Sequence, residues 1–208
     1  MATVMMRVAD KPQLAAWARA AQHGDREAFG RLVQVYQRPV FSLAYRMLGS
    51  APDAEDAAQE SFLRAYRALG GYDSGRAFST WLLSIAAHHC IDRIRRKRMH
   101  EVSLDAVPQD CWRSASDAGP EASVERRAEA ERVGRCLAAL PEDYRLVVVL
   151  RYWHDMGYAD IARILGESES AVKSRLHRAR LRLAELLPAA DGRGEAPRPR
   201  SSDGSSHA

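Results

Sequence analysis

Three runs of like charge are the first residues here able to do chemistry. Asp53, Glu55, Asp56 and Glu60 fall within eight residues that contain no base, and Arg93, Arg95, Arg96, Lys97 and Arg98 contain no acid. Lys173, Arg175, Arg178, Arg180 and Arg182 form a second basic stretch. A carboxylate face suits a basic protein surface and repels nucleic acid, whereas cationic runs suit phosphates. Between the basic runs, residues 99–124 are acidic: Glu101, Asp105, Asp110, Asp117 and Glu121 stand against Arg113 alone. Over all 208 residues, 31 bases against 27 acids leave a formal charge of +4, so segregation carries the signal and the total does not.

Other chemistries find little footing. No nucleophile–base pairing or glycine-rich phosphate loop is visible, so an enzyme is not expected. Cys90, Cys111 and Cys136 are 21 and 25 residues apart with no C-x-x-C, which excludes a disulfide scaffold, argues against a zinc ribbon and fits a reducing compartment. His88-His89-Cys90 hints at a metal or redox site, but successive helix residues point in different directions. No metal or cofactor is expected. Ala77 to Ile91 lacks charge yet is too short and polar to span a bilayer, and the N-terminus has no apolar secretory stretch. The expectation is a cytoplasmic chain without stable membrane insertion.

These groups need helices to position them. Apolar residues recur at helical spacing and strand-like alternation is almost absent, so the chain is expected to be all-α. A first helical domain is assigned to residues 1–98, with turns at His23-Gly24-Asp25, Gly49-Ser-Ala-Pro52 and Gly70 to Gly75. Residues 99–124 are expected to be a flexible linker, 125–187 a second helical domain, and 188–208 a disordered Pro/Gly/Ser/Arg tail.

The second domain carries a helix-turn-helix pattern. Pro141 opens a helix whose stripe is Leu146, Val149, Leu150 and Trp153. A short helix follows from Tyr158 to Leu165, with Ile161, Ala162 and Leu165 inward, and Gly166 ends it. The spacing Ala162, Gly166, Val172 suits two steeply crossed helices. On the last helix Val172, Leu176, Ala179, Leu183 and Leu186 form the buried stripe, while Ser170, Lys173, Ser174, Arg175, His177 and Arg178 make a polar, basic face. Such a face suits major-groove reading, and it also suits a solvated helix in an ordinary bundle.

In the first domain, the helix from Asp53 to Leu69 has two faces. Ala58, Phe62, Ala65, Tyr66 and Leu69 are expected to be buried; Asp56, Gln59, Glu60 and Leu63 share the other side. The helix from Phe78 to about Arg98 has apolar stripes that leave Trp81, Ser84, His88 and Arg95 along one edge. An aromatic beside bases suits unstacked nucleotides, although Trp81 would serve equally as a core residue.

At this point the residues match a family. Asp53-x-Glu-Asp-x-x-Gln-Glu-x-Phe-x-x-Ala-Tyr66, Phe78-Ser-Thr-Trp-Leu82 and Asp92-x-x-Arg-Arg96 resemble region 2 of bacterial sigma factors. Leu140-Pro-x-x-Tyr-Arg145, Tyr158-x-x-Ile-Ala162 and Val172-Lys-Ser-Arg-Leu-His-Arg-Ala-Arg180 resemble region 4. Both, in this order and without region 3, resemble the extracytoplasmic-function (ECF) group of the sigma-70 family. The resemblance implies a two-domain initiation factor that binds core RNA polymerase through its β and β′ subunits, opens promoter DNA and is restrained by an anti-sigma factor. It assigns polymerase docking to Asp53, Asp56, Gln59, Glu60 and Leu63. The −10 element falls to Tyr72, Arg76, Trp81, His88, Asp92, Arg95 and Arg96, and the −35 element to Ser170, Lys173, Ser174, Arg175, His177 and Arg178. Glu167 and Glu169 add negative charge near this last surface. The rival expectation is a stand-alone helix-turn-helix regulator, which would need neither the acidic helix nor the Trp-containing basic one.

Overall fold

Caps and left-handed glycines set the helix ends. In the computed structural model, which describes residues 11–102 and 124–186, α1 (Lys11–Gln22) gives way at Gly24 to α2 (Arg26–Leu48). Asp25 caps α2 by accepting from the Ala28 amide at 3.0 Å, and Gly49, at φ 77°, closes it. A left-handed φ is cheap only for glycine. Ser50 caps α3 (Ala51–Ala68) through the Asp53 amide. A short 3-10 turn, Leu69–Gly71, leads by a loop into α4 (Phe78–Val102), four residues longer than expected.

In the second half α5 (Val124–Ala138), α6 (Glu142–Tyr152), α7 (Tyr158–Leu165) and α8 (Glu169–Leu186) follow. The chain is all-α, and among the described residues every regular element is helical. Most of the expected linker and the whole expected tail lie outside the described residues.

The first bundle is built on α2, which packs against α1, α3 and α4. Leu32, Val40, Leu43 and Met47 are fully buried there. The α3 side of this core is mostly alanine (Ala54, Ala57, Ala58 and Ala65), which lets α2 and α3 approach closely. Tyr66 corrects the expectation for α3: its ring is 44% exposed and meets Phe29 edge-on at 5.0 Å. The small residues already fill the contact, so Tyr66 is left at its rim.

In the second bundle α8 packs on α6 and α7. Val172, Leu176 and Ala179 are buried as expected, but Leu183 is half-buried and Leu186 is exposed, since α8 runs past its supports. On α7, Ile164 is buried and Leu165 only half-buried, because a second surface covers that helix.

That second surface is the first bundle. The expected α6 stripe of Leu146, Val149 and Leu150 is buried and Trp153 is half-buried, yet Arg145, Val147 and Val148 are buried too. A helix buried all round has partners on opposite sides. Here α8 lies on one and α2 on the other, while α7 and the start of α6 pack along α4.

Polar contacts seal the junction. The Arg145 guanidinium donates to the carbonyl of Met47 near the end of α2, and to those of Ala138 (2.7 Å) and Leu140 (3.3 Å) at the end of α5. Carbonyl ends of helices carry partial negative charge, which suits a cation. Burial lowers the Arg145 pKa to about 10, so it stays charged at neutral pH. Arg46 stacks on Trp153 at 4.9 Å.

Two outcomes follow from this junction. Arg145→Ala removes the donor to three carbonyls, two of them in buried contacts, and is expected to cost about 2–4 kcal/mol, read by urea denaturation; a destabilisation within about 0.5 kcal/mol would contradict it. Half-buried His154 has its pKa lowered from 6.5 to about 4, first by burial and then by Arg46. The fold therefore holds it neutral while the unfolded chain protonates it. Its contribution is intact above about pH 6.5 and drains away toward pH 4, on the order of 2–3 kcal/mol in all. Buried His89 is depressed as well and adds in the same direction. His154→Phe should flatten the fall in melting temperature over that range; an unchanged slope would show that His154 is not responsible.

Candidate functional site

The acidic helix α3 presents an open centre with braced flanks. Asp56, Gln59 and Leu63 are exposed on one side, Leu63 by 51%. At one end Asp53 accepts from Arg93 of α4. At the other, Glu60 accepts from Arg64 Nε at 2.8 Å, the bond that most lowers its pKa. The five residues expected to form one docking face thus do gather on α3. Asp53 and Glu60 are held by their own arginines, with Asp56 and Gln59 exposed between them and Leu63 exposed just beyond Glu60. Beneath lies His89, buried at 5% exposure, with neither ring nitrogen finding a hydrogen-bond partner among the described residues.

The loop between α3 and α4 is tied from within. Gln22 Nε2 donates to the carbonyls of Tyr72 (2.8 Å) and Gly70 (3.3 Å), and the Gly75 amide donates to Asp73 Oδ1 at 2.9 Å. Tyr72, expected as a nucleic-acid contact, is instead buried at 5% exposure. Its ring packs on Phe78 and Trp81, with centroids 5.4 and 5.0 Å away, and its hydroxyl donates to the Arg76 carbonyl at 2.5 Å. Three neighbouring aromatics bury one another in preference to facing water. Tyr72 therefore shapes the loop from which Arg76 projects, exposed and paired with Asp73 at 3.2 Å. Trp81 is half-buried in the same cluster.

Farther along α4, His88, Asp92 and Arg96 are exposed, and His88 Nδ1 bonds the Ser84 carbonyl at 2.7 Å. His88, His89 and Cys90 point apart, and burial lifts the Cys90 thiol to about 12, which makes it unreactive. No group of three or more metal-ligating side chains occurs among the described residues. Arg95 is engaged across the junction: it pairs with Glu142 at 3.2 Å and Asp143 at 3.5 Å, and Arg98 joins Glu142 at 3.1 Å.

The second basic face stands open on α8. Gly166, at φ 67°, closes α7, and Ser168 caps α8 by accepting from the Ala171 amide at 3.2 Å. Ser170, Lys173, Ser174, His177 and Arg178 are all exposed, with Lys173 over the Tyr158 ring at 5.3 Å. Arg175 departs from the set: it is half-buried and turned back onto Glu167. The same bond draws Glu167 inward, so much of its charge is neutralised beside this face. An open groove of about 560 Å³ separates the start of α6 from α8, lined in part by Arg175, Arg178 and Arg182. Arg182, named in the second basic stretch, was not assigned to this face, although its i, i+4 relation to Arg178 places it on that side. Nor were Arg98, Glu142 and Asp143 expected to meet, since nothing local to either domain reports a contact between them.

Comparison with known proteins follows this division. The family described as Sigma-70 region 2 matches residues 32–99, and that described as Sigma-70, region 4 matches residues 130–183. The chain is 36% identical over 176 residues to the ECF RNA polymerase sigma factor SigW of Bacillus subtilis, covering 81% of this chain and 94% of that protein. Among solved structures it resembles CnrH in complex with the cytosolic domain of CnrY: TM-score 0.63, 28% identity, with 84% of this chain and 96% of that one covered. It shares its fold with the sigma factor RpoE from Bartonella quintana, solved with the anti-sigma factor NepR (TM-score 0.65, 23% identity, 76% and 95% covered).

Proposed function

The chain belongs to the ECF group of the sigma-70 family, and from that premise we propose how its surfaces divide the work. It is a sigma factor, which binds core RNA polymerase and directs it to promoters. In our reading, α3 docks on polymerase through Asp56, Gln59 and Leu63, with Asp53 and Glu60 fixing the helix by their arginine pairs. The edge of α4 and the loop before it take the −10 element: Arg76, His88, Asp92, Arg95 and Arg96 meet the DNA while Tyr72 and Trp81 shape the site. On α8, Ser170, Lys173, Ser174, His177 and Arg178 take the −35 element.

The observation that carries this reading is the segregation of surfaces. One face is acidic with an exposed leucine, and two are cationic on separate helices, in the order of the two matched regions. The stand-alone regulator is not favoured, because region 2 matches over 68 residues, 32 to 99, that such a protein does not need. The first working domain runs to Val102 and the second begins at Val124, with residues 103–123 as the tether between them.

Opening DNA without ATP is physically reasonable. Unstacking a base step costs a few kcal/mol, which captured bases and phosphate contacts can offset. The chain works as a binding factor in the cytoplasm, where polymerase is. No helix among the described residues is long and apolar enough to cross a membrane. An anti-sigma protein is the expected restraint, in keeping with the partner-bound state of the RpoE relative.

Run-off transcription with core polymerase and a promoter library tests the function: site-selective transcripts are expected, and none on any template would overturn it. Asp56→Lys with Glu60→Lys should abolish co-purification with core polymerase while the helical circular dichroism stays unchanged; retained association would remove the docking role. Lys173→Ala and Arg178→Ala should weaken promoter binding and lower the salt slope by about one for each phosphate no longer neutralised. An unchanged upstream footprint would remove α8 from the interface.

A further inference from the structure

Helix α1 has no part in the division of surfaces above, and it ends ahead of the matched region that begins at residue 32. Its last residue nevertheless reaches into the loop that our reading gives to the −10 element. Gln22 is half-buried, and its side-chain amide donates both to the carbonyl of Tyr72 at 2.8 Å and to that of Gly70 at 3.3 Å. Among the described residues, no other hydrogen bond ties residues 70–76 to an element distant in sequence. The anchoring end is itself fixed. Gly24, at φ 97°, turns the chain so that its amide donates to the Ala21 carbonyl at 3.0 Å and the Asp25 amide to that of Ala20 at 3.1 Å. Asp25 then caps α2.

The loop needs such an anchor. Gly70 and Gly71 stand side by side in its 3-10 turn, both exposed, and a Cβ added to either would meet nothing within 4 Å. Packing therefore does not restrain them, and glycine backbone gives up the most freedom when it is held. From the two carbonyls the restraint passes onward. The Tyr72 ring is held by Phe78 and Trp81, its hydroxyl donates to the Arg76 carbonyl, and the Arg76 amide closes a turn on the Asp73 carbonyl at 3.0 Å. A path of hydrogen bonds thus runs from α1 through Tyr72 to the backbone of Arg76. An amide is the right group at its start, because one nitrogen carries two donors for two carbonyls, whereas a carboxylate of the same shape carries none.

We propose that Gln22 is a positioning residue for the −10 element: from α1 it holds the loop that sets Arg76 against promoter DNA, with its own amide spent on the loop carbonyls. The proposal rests on the −10 reading above and deepens it. A side chain preset in its working geometry loses less freedom on binding than one that must first be ordered, and that is what the tie supplies. Gln22 lies on neither α3 nor α8, so polymerase docking and the −35 contact do not depend on it. Discrimination among −10 sequences does, because a loose loop lets Arg76 follow a wrong partner at little extra cost.

The test uses the full chain with core polymerase, on the promoter found by run-off selection and on versions of it with single changes in the −10 element. Gln22→Met keeps the length and helical preference of the side chain and removes both donors. It should lower the run-off rate about five- to tenfold. It should also narrow the ratio between the selected promoter and its −10 variants, while affinity for core polymerase and the upstream footprint stay unchanged. Gln22→Glu, of the same shape and without a donor, should share the deficit, and it carries the test if the methionine variant folds poorly. Arg76→Ala completes a double-mutant cycle: because Gln22 acts through the loop that carries Arg76, the pair should cost little more than Arg76→Ala alone. An unchanged promoter ratio in the Gln22 variants, or additive losses in the pair, would overturn the proposal. So would a loss of polymerase affinity in step with the run-off rate, which marks a defect of the whole bundle. If Arg76→Ala transcribes like the wild type, the −10 reading of the loop falls and takes the proposal with it. If Arg76→Ala is impaired and the Gln22 variants are not, only the positioning role falls.

Discussion

A buried guanidinium holds the two halves of this chain together, and most of what is distinctive about the fold depends on it. Arg145 leaves a helix of the second domain and ends among carbonyls of α2 and α5. It is compensated there by the negative ends of two helices, and Glu142 favours its charge from nearby. Such an ion is costly to bury and costlier to strand, so it settles the angle at which the domains meet. With that angle set, α6 lies between α8 and α2, α7 lies on α4, and the acids at the start of α6 reach Arg95 and Arg98.

The junction engages two arginines of one basic surface, Arg95 and Arg98, and spares the other surfaces. Asp56, Gln59 and Leu63 on α3 and the polar face of α8 remain open to solvent. On the proposed assignment, the surface given to polymerase stands open while two arginines of the edge given to DNA, Arg95 and Arg98, are paired internally. Weak, partly exposed ion pairs suit such an edge better than a tight apolar seal, because they exchange with phosphates of the same charge. Val147 and Val148, buried beyond the expected α6 stripe, add apolar burial that the ion pairs do not.

Much of this is legible from residues alone, and the reasons are local. Gly49 and Gly166 mark helix ends because both adopt the left-handed backbone that glycine tolerates. The α8 stripe from Val172 to Ala179 and the exposed set on α3 follow from the helical period. Local reasoning fails where a neighbour decides. Tyr72 has the chemistry of a ligand contact and is a core residue of its loop, since Phe78 and Trp81 happen to close over it. Arg175 has the spacing of an exposed base, but Glu167 captures it. The uninterrupted run Leu146-Val-Val-Val-Leu150 does carry a signal for the junction: five apolar residues in a row exceed what one buried face requires. Its partner α2, however, lies about a hundred residues earlier, as the bond from Arg145 to Met47 shows, and no spacing rule points there.

The proposed function requires the same two domains to take two arrangements, packed together as in the free chain and spread over a promoter. Fluorescence energy transfer between dyes at Glu55→Cys and Arg180→Cys, in a Cys111→Ser background, measures this directly, since both positions are exposed and the remaining cysteines are buried. High transfer in the free protein, falling sharply once core polymerase and promoter DNA are added, is the result expected. The same high transfer in the transcribing complex would contradict it.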